Sequence, residues 1–197
     1  IKRKAPVQLW AESQSCDHLQ TCHPRDRRIT ASSSRHHIRA VMAFPPNGNF
    51  EDRCLDADLF DLITGSFLRV VGTTLVAKGQ GPQWLYNDAP CAGLAHDGGT
   101  DPCFIYGNRT AQNRFGYSWS ELIGLPSRLS AEAPERAERQ RLLDAVTRNG
   151  FIADYKGVRI AKSGQRFWIE NAIVWQLIDQ DGQLRGQAAT FSDWQDI

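Results

Sequence analysis

Residues 104–129 constrain the fold most, because they combine a strand, two short helices and a stop signal within 26 residues. The run 104–106 is apolar and β-forming, which predicts a short strand. Asn108 then predicts a helix start, since its side-chain oxygen can accept a hydrogen bond from an unpaired amide of the first turn. Gly116 predicts the end of that helix in the left-handed conformation. Residues 118–121 form a capping box, which predicts a second short helix.

Apolar alternation and turn signals predict further strands on both sides of a longer helix. Residues 91–96 precede the central stretch as a strand, and residues 134–148 follow it with a strong helical pattern. Three strands then fall at 151–161, 166–178 and 183–194. One face of the long middle strand is predicted to hold Phe167, Ile169, Ile173, Trp175 and Leu177. Two strands, a helix and a three-stranded meander indicate an α+β fold.

A single apolar face predicts an amphipathic helix over residues 55–76. Its members recur every three or four residues: Leu55, Leu59, Leu62, Ile63, Phe67 and Val70. This face fits two interpretations, a helix that packs on its own domain and a helix that pairs with a second copy in a homodimer. In residues 77–90, which follow, Gly and Pro predict a loop with one short turn.

Charge is unevenly distributed along the chain. Residues 1–41 hold eight Lys and Arg against three Asp and Glu, whereas the remainder holds 15 basic and 19 acidic residues. The polar tracts of 1–41 predict a basic extension that is disordered or foreign to the native protein, with Met42 as the native start. A zinc site built on Cys16 and Cys22 with nearby histidines is the alternative, but the paired ligand spacings of structural zinc are missing. The acidic remainder gives no electrostatic reason to expect nucleic-acid binding.

The sequence thus divides into an extension over 1–41, a lead-in with the amphipathic helix over 42–90, and a core over 91–197. No apolar run approaches about 20 residues, and no signal peptide is visible, which predicts a cytoplasmic protein without a membrane span. The five cysteines have no framework spacing and are expected to be thiols in that location. A disulfide between Cys91 and Cys103 is the alternative.

Residues 106–124 have the form Y-x-N-x-x-A-x-x-x-F-G-Y-S-x-x-E-L-I-G, which resembles the middle of a PAS domain. Residues 124–132, 150–177 and 186–194 narrow the resemblance to the MEKHLA family of PAS-related domains, over residues 55–195. The resemblance implies a five-stranded antiparallel sheet with flanking helices. Such domains end plant class III homeodomain–leucine zipper factors and also occur as stand-alone microbial proteins. Because no homeodomain or zipper heptads are visible, this chain resembles the stand-alone type.

Flavin photochemistry occurs in the PAS superfamily, and the sequence argues against it here. Flavin-binding members carry a reactive Cys in the segment that corresponds to residues 124–130, where Ser127 takes its place and Pro126 replaces an Asn. A serine hydroxyl is too weak a nucleophile to form the flavin adduct. A haem sensor would need an axial His on residues 134–148, which contain none. No cofactor is therefore predicted.

The remaining candidate site is an apolar cup with a few polar groups. Its members could bind a ligand or simply fill the core: Tyr106, Asn108, Phe115, Arg128, Trp168 and Trp175. Arg128 could anchor a carboxylate or phosphate, or pair with Glu121 or Glu132. The predicted ligand is accordingly small and either apolar or anionic. His96, beside Asp97, is expected to be a turn residue and not a catalytic base.

These observations predict a non-catalytic sensory or protein-interaction module and not an enzyme. A ligand or partner would act on the exposed face of the sheet, and the signal would pass through the helix over 55–76. An enzyme or small-molecule carrier that uses the same cup is the alternative. A rigid dimerisation module without a ligand is a third interpretation.

Overall fold

The structure, a computed structural model, describes residues 50–131, 145, 146 and 148–197. Several sequence interpretations lie outside these residues: the basic extension 1–41 with its zinc alternative, the start at Met42, and most of the helix predicted over 134–148. Val146, which lies within that predicted helix, is buried.

The α-helices with bounds in the described part are α1 (Ala57–Val71), α2 (Pro82–Asn87), α3 (Arg109–Phe115) and α4 (Trp119–Leu122). The strands are β1 (Ala92–Asp97), β2 (Phe104–Gly107), β3 (Phe151–Ile160), β4 (Arg166–Ile178), β5 (Leu184–Phe191) and β6 (Asp193–Asp196). The 3₁₀ helices Phe50–Leu55 and Ser127–Ser130 precede α1 and follow α4.

All strand pairs are antiparallel, and the strands lie in the order β2-β1-β5-β4-β3. A sixth strand, β6, pairs with β4. The chain therefore forms two strands, leaves the sheet through α3 and α4, and returns as a meander. This confirms the predicted α+β, PAS-like fold, a five-stranded antiparallel sheet with flanking helices and an N-terminal amphipathic helix.

The end of the sheet differs from its prediction, because two consecutive strands, β5 and β6, replace the single last strand. β6 continues along β4 in the register of β5: Thr190 faces Ile173, and Asp193 faces Glu170. The interruption lies beside Asn171, whose backbone is left-handed with φ 53°. A left-handed residue interrupts the β-ladder locally. The last predicted strand therefore does pair with β4, but the prediction that it is one continuous strand is wrong.

Two hydrophobic clusters lie on opposite faces of the sheet, because the adjacent β1 residues Leu94 and Ala95 belong to different clusters. The α1 cluster comprises Leu59, Ile63, Phe67, Leu85, Tyr86, Ala89, Ala95, Tyr106, Trp119, Trp175, Leu177 and Ala188. The α3 cluster comprises Ala92, Leu94, Phe104, Ala111, Phe115, Leu122, Ala161, Phe167, Ile169, Ala172 and Phe191. Both faces of the sheet thus contribute to the core.

Strand β4 changes faces midway, and the prediction that its apolar residues share one face is wrong. Phe167 and Ile169 belong to the α3 cluster. The other three predicted residues lie at the α1 cluster: Ile173, Trp175 and Leu177. The change occurs at Asn171, since its left-handed backbone interrupts the alternation of side chains.

Helix α1 is shorter than the helix predicted over 55–76. Asp56 caps its start by accepting a hydrogen bond from the Leu59 amide at 3.0 Å. Gly72 ends it in the left-handed conformation, with φ 85°. Leu75 lies beyond this cap and still packs on the α1 cluster. The apolar face of α1 lies on its own domain, as one of the two interpretations predicted, and the homodimer stays a prediction.

The remaining local predictions hold except at residues 77–90, where α2 forms in place of the predicted loop. Leu85 and Tyr86 of α2 are buried in the α1 cluster. The strand, the Asn108 cap, the left-handed Gly116 with φ 74° and the capping box of α4 are all confirmed.

Candidate functional site

Asn108 is fully committed to hydrogen bonds within the domain. Its Oδ1 accepts from the amides of Gly93 at 2.9 Å and Ala111 at 3.0 Å. Its Nδ2 donates to the carbonyls of Leu85 at 3.3 Å and Cys91 at 2.8 Å. An Asn side chain offers two acceptor and two donor positions, so none remains for a ligand. Asn108 joins α2, β1 and α3.

Phe115 lies in the α3 cluster, away from the other aromatic candidates. Its ring centroid is 5.2 Å from that of Phe167 and 6.4 Å from that of Phe191, both in edge-to-face contact. Such contacts stabilise a core. The position of Phe115 therefore accounts for its aromatic character without a ligand.

Arg128 lies at the surface, with 55% of its side chain exposed. Its Nε donates to both carboxylate oxygens of Asp101, at 3.1 and 3.2 Å. This partner differs from the two considered in the sequence, because Glu121 pairs with Lys162 at 2.5 Å and Glu132 lies outside the described residues. Arg128 is therefore already paired, and it is not part of an apolar cup.

Trp168 is exposed on β4, with 36% of its surface accessible. The Nζ of Lys156 lies 5.0 Å from its ring centroid and 2.6 Å from Glu170. Cross-strand Val158 faces Trp168. This arrangement is a surface feature, separate from the buried candidates.

Tyr106 and Trp175 are the two candidates that the fold brings together. Both line a cavity of about 10 Å³ in the α1 cluster. Ile63 of α1 and Leu85 of α2 form other parts of its wall, together with Leu75, Cys91, Gly93, Leu94 and Thr190. A volume of roughly 10 to 15 Å³ holds a single water, so the cavity is at this lower limit.

The hydroxyl of Tyr106 is buried without a hydrogen-bond partner among the described residues. The side chain is 4% exposed. Burial raises the pKa of the phenol far above its ordinary value, and the neighbouring Tyr86, Cys54 and Cys91 raise it further. The phenol is therefore a neutral hydrogen-bond donor at every physiological pH.

Trp175 connects the cavity wall to α1. Its Nε1 donates to Ser66 Oγ at 3.1 Å, and Ser66 Oγ donates in turn to the Ile63 carbonyl at 3.1 Å. The ring of Phe67 meets that of Trp175 edge-to-face with 4.9 Å between centroids. A displacement of α1 would thus change the contacts of Trp175 directly.

Sequence reasoning missed the polar members of this region, Ser66 and Tyr86. Ser66 interrupts the apolar face of α1 three residues after Ile63, and that spacing was a signal for a buried hydroxyl. Tyr86 Oη accepts from Gln112 Nε2 at 3.1 Å. Gln112 itself carried no signal, because its partner is 26 residues away.

Ser127 and His96 both contact residues close to them in sequence, and the Ser127 amide also donates to the Pro102 carbonyl at 2.8 Å. Ser127 lies in a 3₁₀ helix, where its carbonyl accepts from Ser130 Oγ at 2.8 Å. His96 Nδ1 lies 2.7 Å from the Asp97 carbonyl. The Asp97 carboxylate accepts from the amides of Gly99 and Cys103, both at 3.1 Å, so it shapes the turn.

Three further findings concern only the described part of the chain. No helix there has both the length and the apolar character needed to cross a membrane. The same residues contain no group of three or more His, Cys, Asp or Glu side chains that could hold a metal ion. Cys54, Cys91 and Cys103 form no disulfide bond within the described part of the chain.

Solved structures similar to this chain include a PAS domain from Colwellia psychrerythraea, with 22% identity, a TM-score of 0.45, and coverage of 55% of this chain and 87% of that one. The LOV domain of a blue-light activated histidine kinase from Erythrobacter litoralis has 23% identity and a TM-score of 0.45, over 55% of this chain and 97% of that one. An RNA-binding light-oxygen-voltage receptor has 22% identity and a TM-score of 0.46, with coverage of 55% of this chain and 30% of that one. No curated protein matches the chain.

A family model described as the MEKHLA domain matches residues 57–196. The match begins at the first residue of α1 and ends at the last residue of β6. It therefore includes every α-helix and strand placed above and most of the chain. The resemblance drawn from the sequence is confirmed, and the chain belongs to the MEKHLA domain family.

Proposed function

We propose that this domain is a non-catalytic sensory module in which α1 responds to occupancy of the cavity beneath it. The observation that supports the proposal is the position of the cavity between Ile63 of α1 and Trp175 of the sheet. A molecule that enters at this point contacts both elements at once.

The size of the cavity makes occupancy and helix position interdependent. Small-molecule sites have volumes of about 300 to 1,000 Å³, whereas this cavity measures about 10 Å³. A ligand can therefore enter only when the helices that line the cavity move outward. By linkage, a ligand that binds the open arrangement shifts the population of α1 towards it.

Few polar contacts hold α1 on the sheet. The described ones are the Trp175–Ser66 hydrogen bond and a hydrogen bond from Arg69 to the carbonyl of Ile178. Apolar packing by Ile63 and its neighbours supplies the rest. Such packing is not directional, so α1 can shift while it remains partly buried.

Chemistry at the cavity also favours sensing over catalysis. A catalyst needs a base or nucleophile whose pKa suits the working pH, and burial instead keeps the Tyr106 phenol protonated. The reduced state of Cys54, Cys91 and Cys103 supports the cytoplasmic location that is part of this proposal.

Native mass spectrometry with hydrogen exchange tests the proposal. We expect the chain purified from cells to carry a small molecule that is lost on denaturation. Returning that molecule should change amide exchange in α1 and leave exchange in α3 unchanged. A bare polypeptide mass, with α1 exchange insensitive to a small-molecule cell extract, would contradict the proposal.

Homodimerisation through α1 is the second candidate, because Leu68 on α1 is 50% exposed. A single exposed leucine is common on a protein surface and does not by itself mark an interface, so pairing through α1 needs a direct test. Sedimentation of wild-type protein, Leu68→Asp and the control Trp168→Ala separates the outcomes. Loss of a dimer with Leu68→Asp alone supports pairing through α1, and a wild-type monomer at every concentration removes it.

A further inference from the structure

We infer that the free edge of β6 binds an extended, basic peptide segment of another protein as an added β-strand, with a Lys or Arg opposite Asp193. The inference goes beyond the proposed function, because β6 pairs with the opposite end of β4 from the end that contacts α1. In binding of this kind, main-chain hydrogen bonds supply affinity and the side chains beside them supply specificity.

The first argument is that β6 has one open edge. It pairs with β4 on one side and with no other described strand. Strand β1 flanks β5 only as far as the pair of Ala92 with Phe191, so its pairing stops before β6 begins at Asp193. All 4 residues of β6 are exposed. An exposed, unpaired edge can pair with a strand of another chain.

The hydrogen-bond pattern shows which backbone groups face this open edge. The Ile197 amide donates to the Arg166 carbonyl at 3.1 Å, so these two residues form a hydrogen-bonded pair. Antiparallel pairs alternate between hydrogen-bonded and non-hydrogen-bonded ones. Trp194 and Asp196 therefore belong to non-hydrogen-bonded pairs, and their amide and carbonyl groups point away from β4.

The hairpin between β3 and β4 gives the same assignment independently. The Ala161 amide donates to the Gln165 carbonyl at 2.9 Å, so by the same alternation Phe167 and Ile169 bond to β3. Their partners in β6 are the two residues assigned above. Because a strand residue directs its amide and carbonyl to one side only, these two pairs with β6 are not hydrogen-bonded.

The second argument is charge, which indicates a basic partner strand. Asp193 lies directly opposite Glu170 of β4, and like charges in such a pair are destabilising. Lys156 of β3 offsets Glu170 at 2.6 Å. Asp193 accepts a hydrogen bond from the neutral Asn171 at 2.8 Å, and none of the ion pairs among the described residues includes it. A Lys or Arg on an added strand would offset Asp193 from the open side.

The other face of β6 indicates an apolar residue beside that cation. Trp194 is 37% exposed, and its ring meets that of Phe191 edge-to-face with 6.0 Å between centroids. Because neighbouring residues of a strand point to opposite faces, the residue next to the cation would lie beside Trp194. A second copy of β6 fits this edge less well, since it would bring two further aspartates.

A designed peptide, acetyl-TTVTFKVT-amide, supplies the lysine and its aromatic neighbour on an extended backbone. Its dissociation constant is measured by NMR titration of the full, isotope-labelled chain, against a control peptide with glutamate in place of lysine. We expect the lysine peptide to bind about fivefold more tightly, as an attractive cross-strand charge pair replaces a repulsive one. The amide signals of Trp194 and Asp196 should shift. Asp193→Asn should abolish the preference, whereas Asp181→Asn, in the turn after β4, should keep it.

Methylation of peptide amides tests the main-chain pairing directly. In an antiparallel strand with its lysine opposite Asp193, the amides of the phenylalanine and of the valine two residues before it face β6. Methylation of these two amides should abolish binding. Methylation of the lysine and of the threonine before the phenylalanine should leave binding unchanged, because those amides face away from β6.

Every other result contradicts the inference. Equal binding of the two methylated peptides overturns strand pairing, and equal binding of the lysine and glutamate peptides overturns the basic partner. Signal shifts centred away from β6, or no binding by any peptide, overturn the site itself. If the peptides do not bind and sedimentation shows a dimer that Asp193→Lys disrupts, a second copy occupies the edge instead.

Discussion

The two faces of the sheet bury similar sets of residues in different ways. In the α3 cluster, Phe115, Phe167 and Phe191 meet edge-to-face, and its buried members are all apolar. In the α1 cluster, aromatic rings are mixed with hydroxyl groups, and a small cavity remains between helix and sheet. Among the described residues each side buries one donor without a partner, Tyr106 Oη on the α1 side and, beside Phe167 on the α3 side, Arg114 Nε. The α1 side is therefore distinguished by the gap between helix and sheet.

The difference teaches that burial by itself does not separate core from site. Tyr106 and Phe115 are both almost fully buried, and both were candidates in the sequence. What distinguishes them is the chemistry left unused after packing. The ring of Phe115 needs no further partner, whereas the hydroxyl of Tyr106 does.

Truncation of one isoleucine on each face of the sheet tests whether the α1 side is packed more loosely than the α3 side. Ile169→Ala in the α3 cluster should lower the free energy of unfolding by about 4 kcal/mol, and Ile63→Ala by about 2 kcal/mol, within the usual range for such changes. Ile63 already borders a void, and α1 can close on it, whereas β3 and β6 hold Ile169 from both sides. Urea denaturation measures both values. A larger loss for Ile63→Ala would contradict the looser packing of the α1 face.

The hydrogen bond between Trp175 and Ser66 tests how α1 is attached to the sheet. A double-mutant cycle of Trp175→Phe and Ser66→Ala should give a coupling energy of about 1 kcal/mol. Each single variant should also speed amide exchange in α1 more than in α3. Additive effects, with no coupling between the two positions, would mean that apolar packing alone holds the helix.

Asn171 sharpens the comparison, because it is where β4 passes from one face to the other. Asn171→Ala should be less stable than Asn171→Gly by about 1 kcal/mol, since a left-handed backbone is unfavourable for residues with a Cβ and free of that penalty in glycine. Thermal unfolding compares the two variants. Both variants lose the 2.8 Å hydrogen bond from Asn171 to Asp193, so this loss cancels between them. Equal stability of the two variants would argue against a left-handed backbone at residue 171, and so against the change of face of β4 at this position.

Lowering the pH should reduce the stability of the α3 side, and this is the smallest of the four predicted effects. Hydrogen bonds from Lys162, then from the amide and hydroxyl of Ser118, lower the pKa of Glu121 from 4.5 to about 2. A lowered pKa means that the stabilisation is present above pH 4.5 and is lost as the pH falls towards 2. Carboxylate NMR should show the pKa of Glu121 rising in Lys162→Met. In Glu121→Gln, the decline of stability across this pH range should flatten.

Local chemistry made much of the fold predictable from the sequence. Asn108, Gly116 and the capping box of α4 act within three or four residues, so their spacing alone reveals them. The boundary of α1 was less accessible, because apolar periodicity continues past Gly72, and only the backbone shows that this glycine is left-handed.

The site was predictable only in part, because its defining contacts are distant in sequence. The sequence selected Tyr106 and Trp175 as aromatic residues on strands, but it gave no means to separate them from Phe115 on the opposite face. Asn108 was a reasonable ligand group until its partners 15 to 23 residues away were known. Arg128 likewise has its partner 27 residues away, at Asp101.

The continuous register of β5 and β6 along β4 has a mechanical consequence. Tension applied at Ile197 would act first on the end of the β4–β6 ladder, at Phe167 and Asp196. The residue pairs of this ladder would therefore separate one after another. The hydrogen bonds of Ile197 to Arg166 and Gln165 would break first, and the ion pair between Arg114 and Asp196 would follow. Opening would pause at the interruption beside Asn171. Strand β6, with its four residue pairs, could thus detach from β4 while the β4–β5 ladder stays intact.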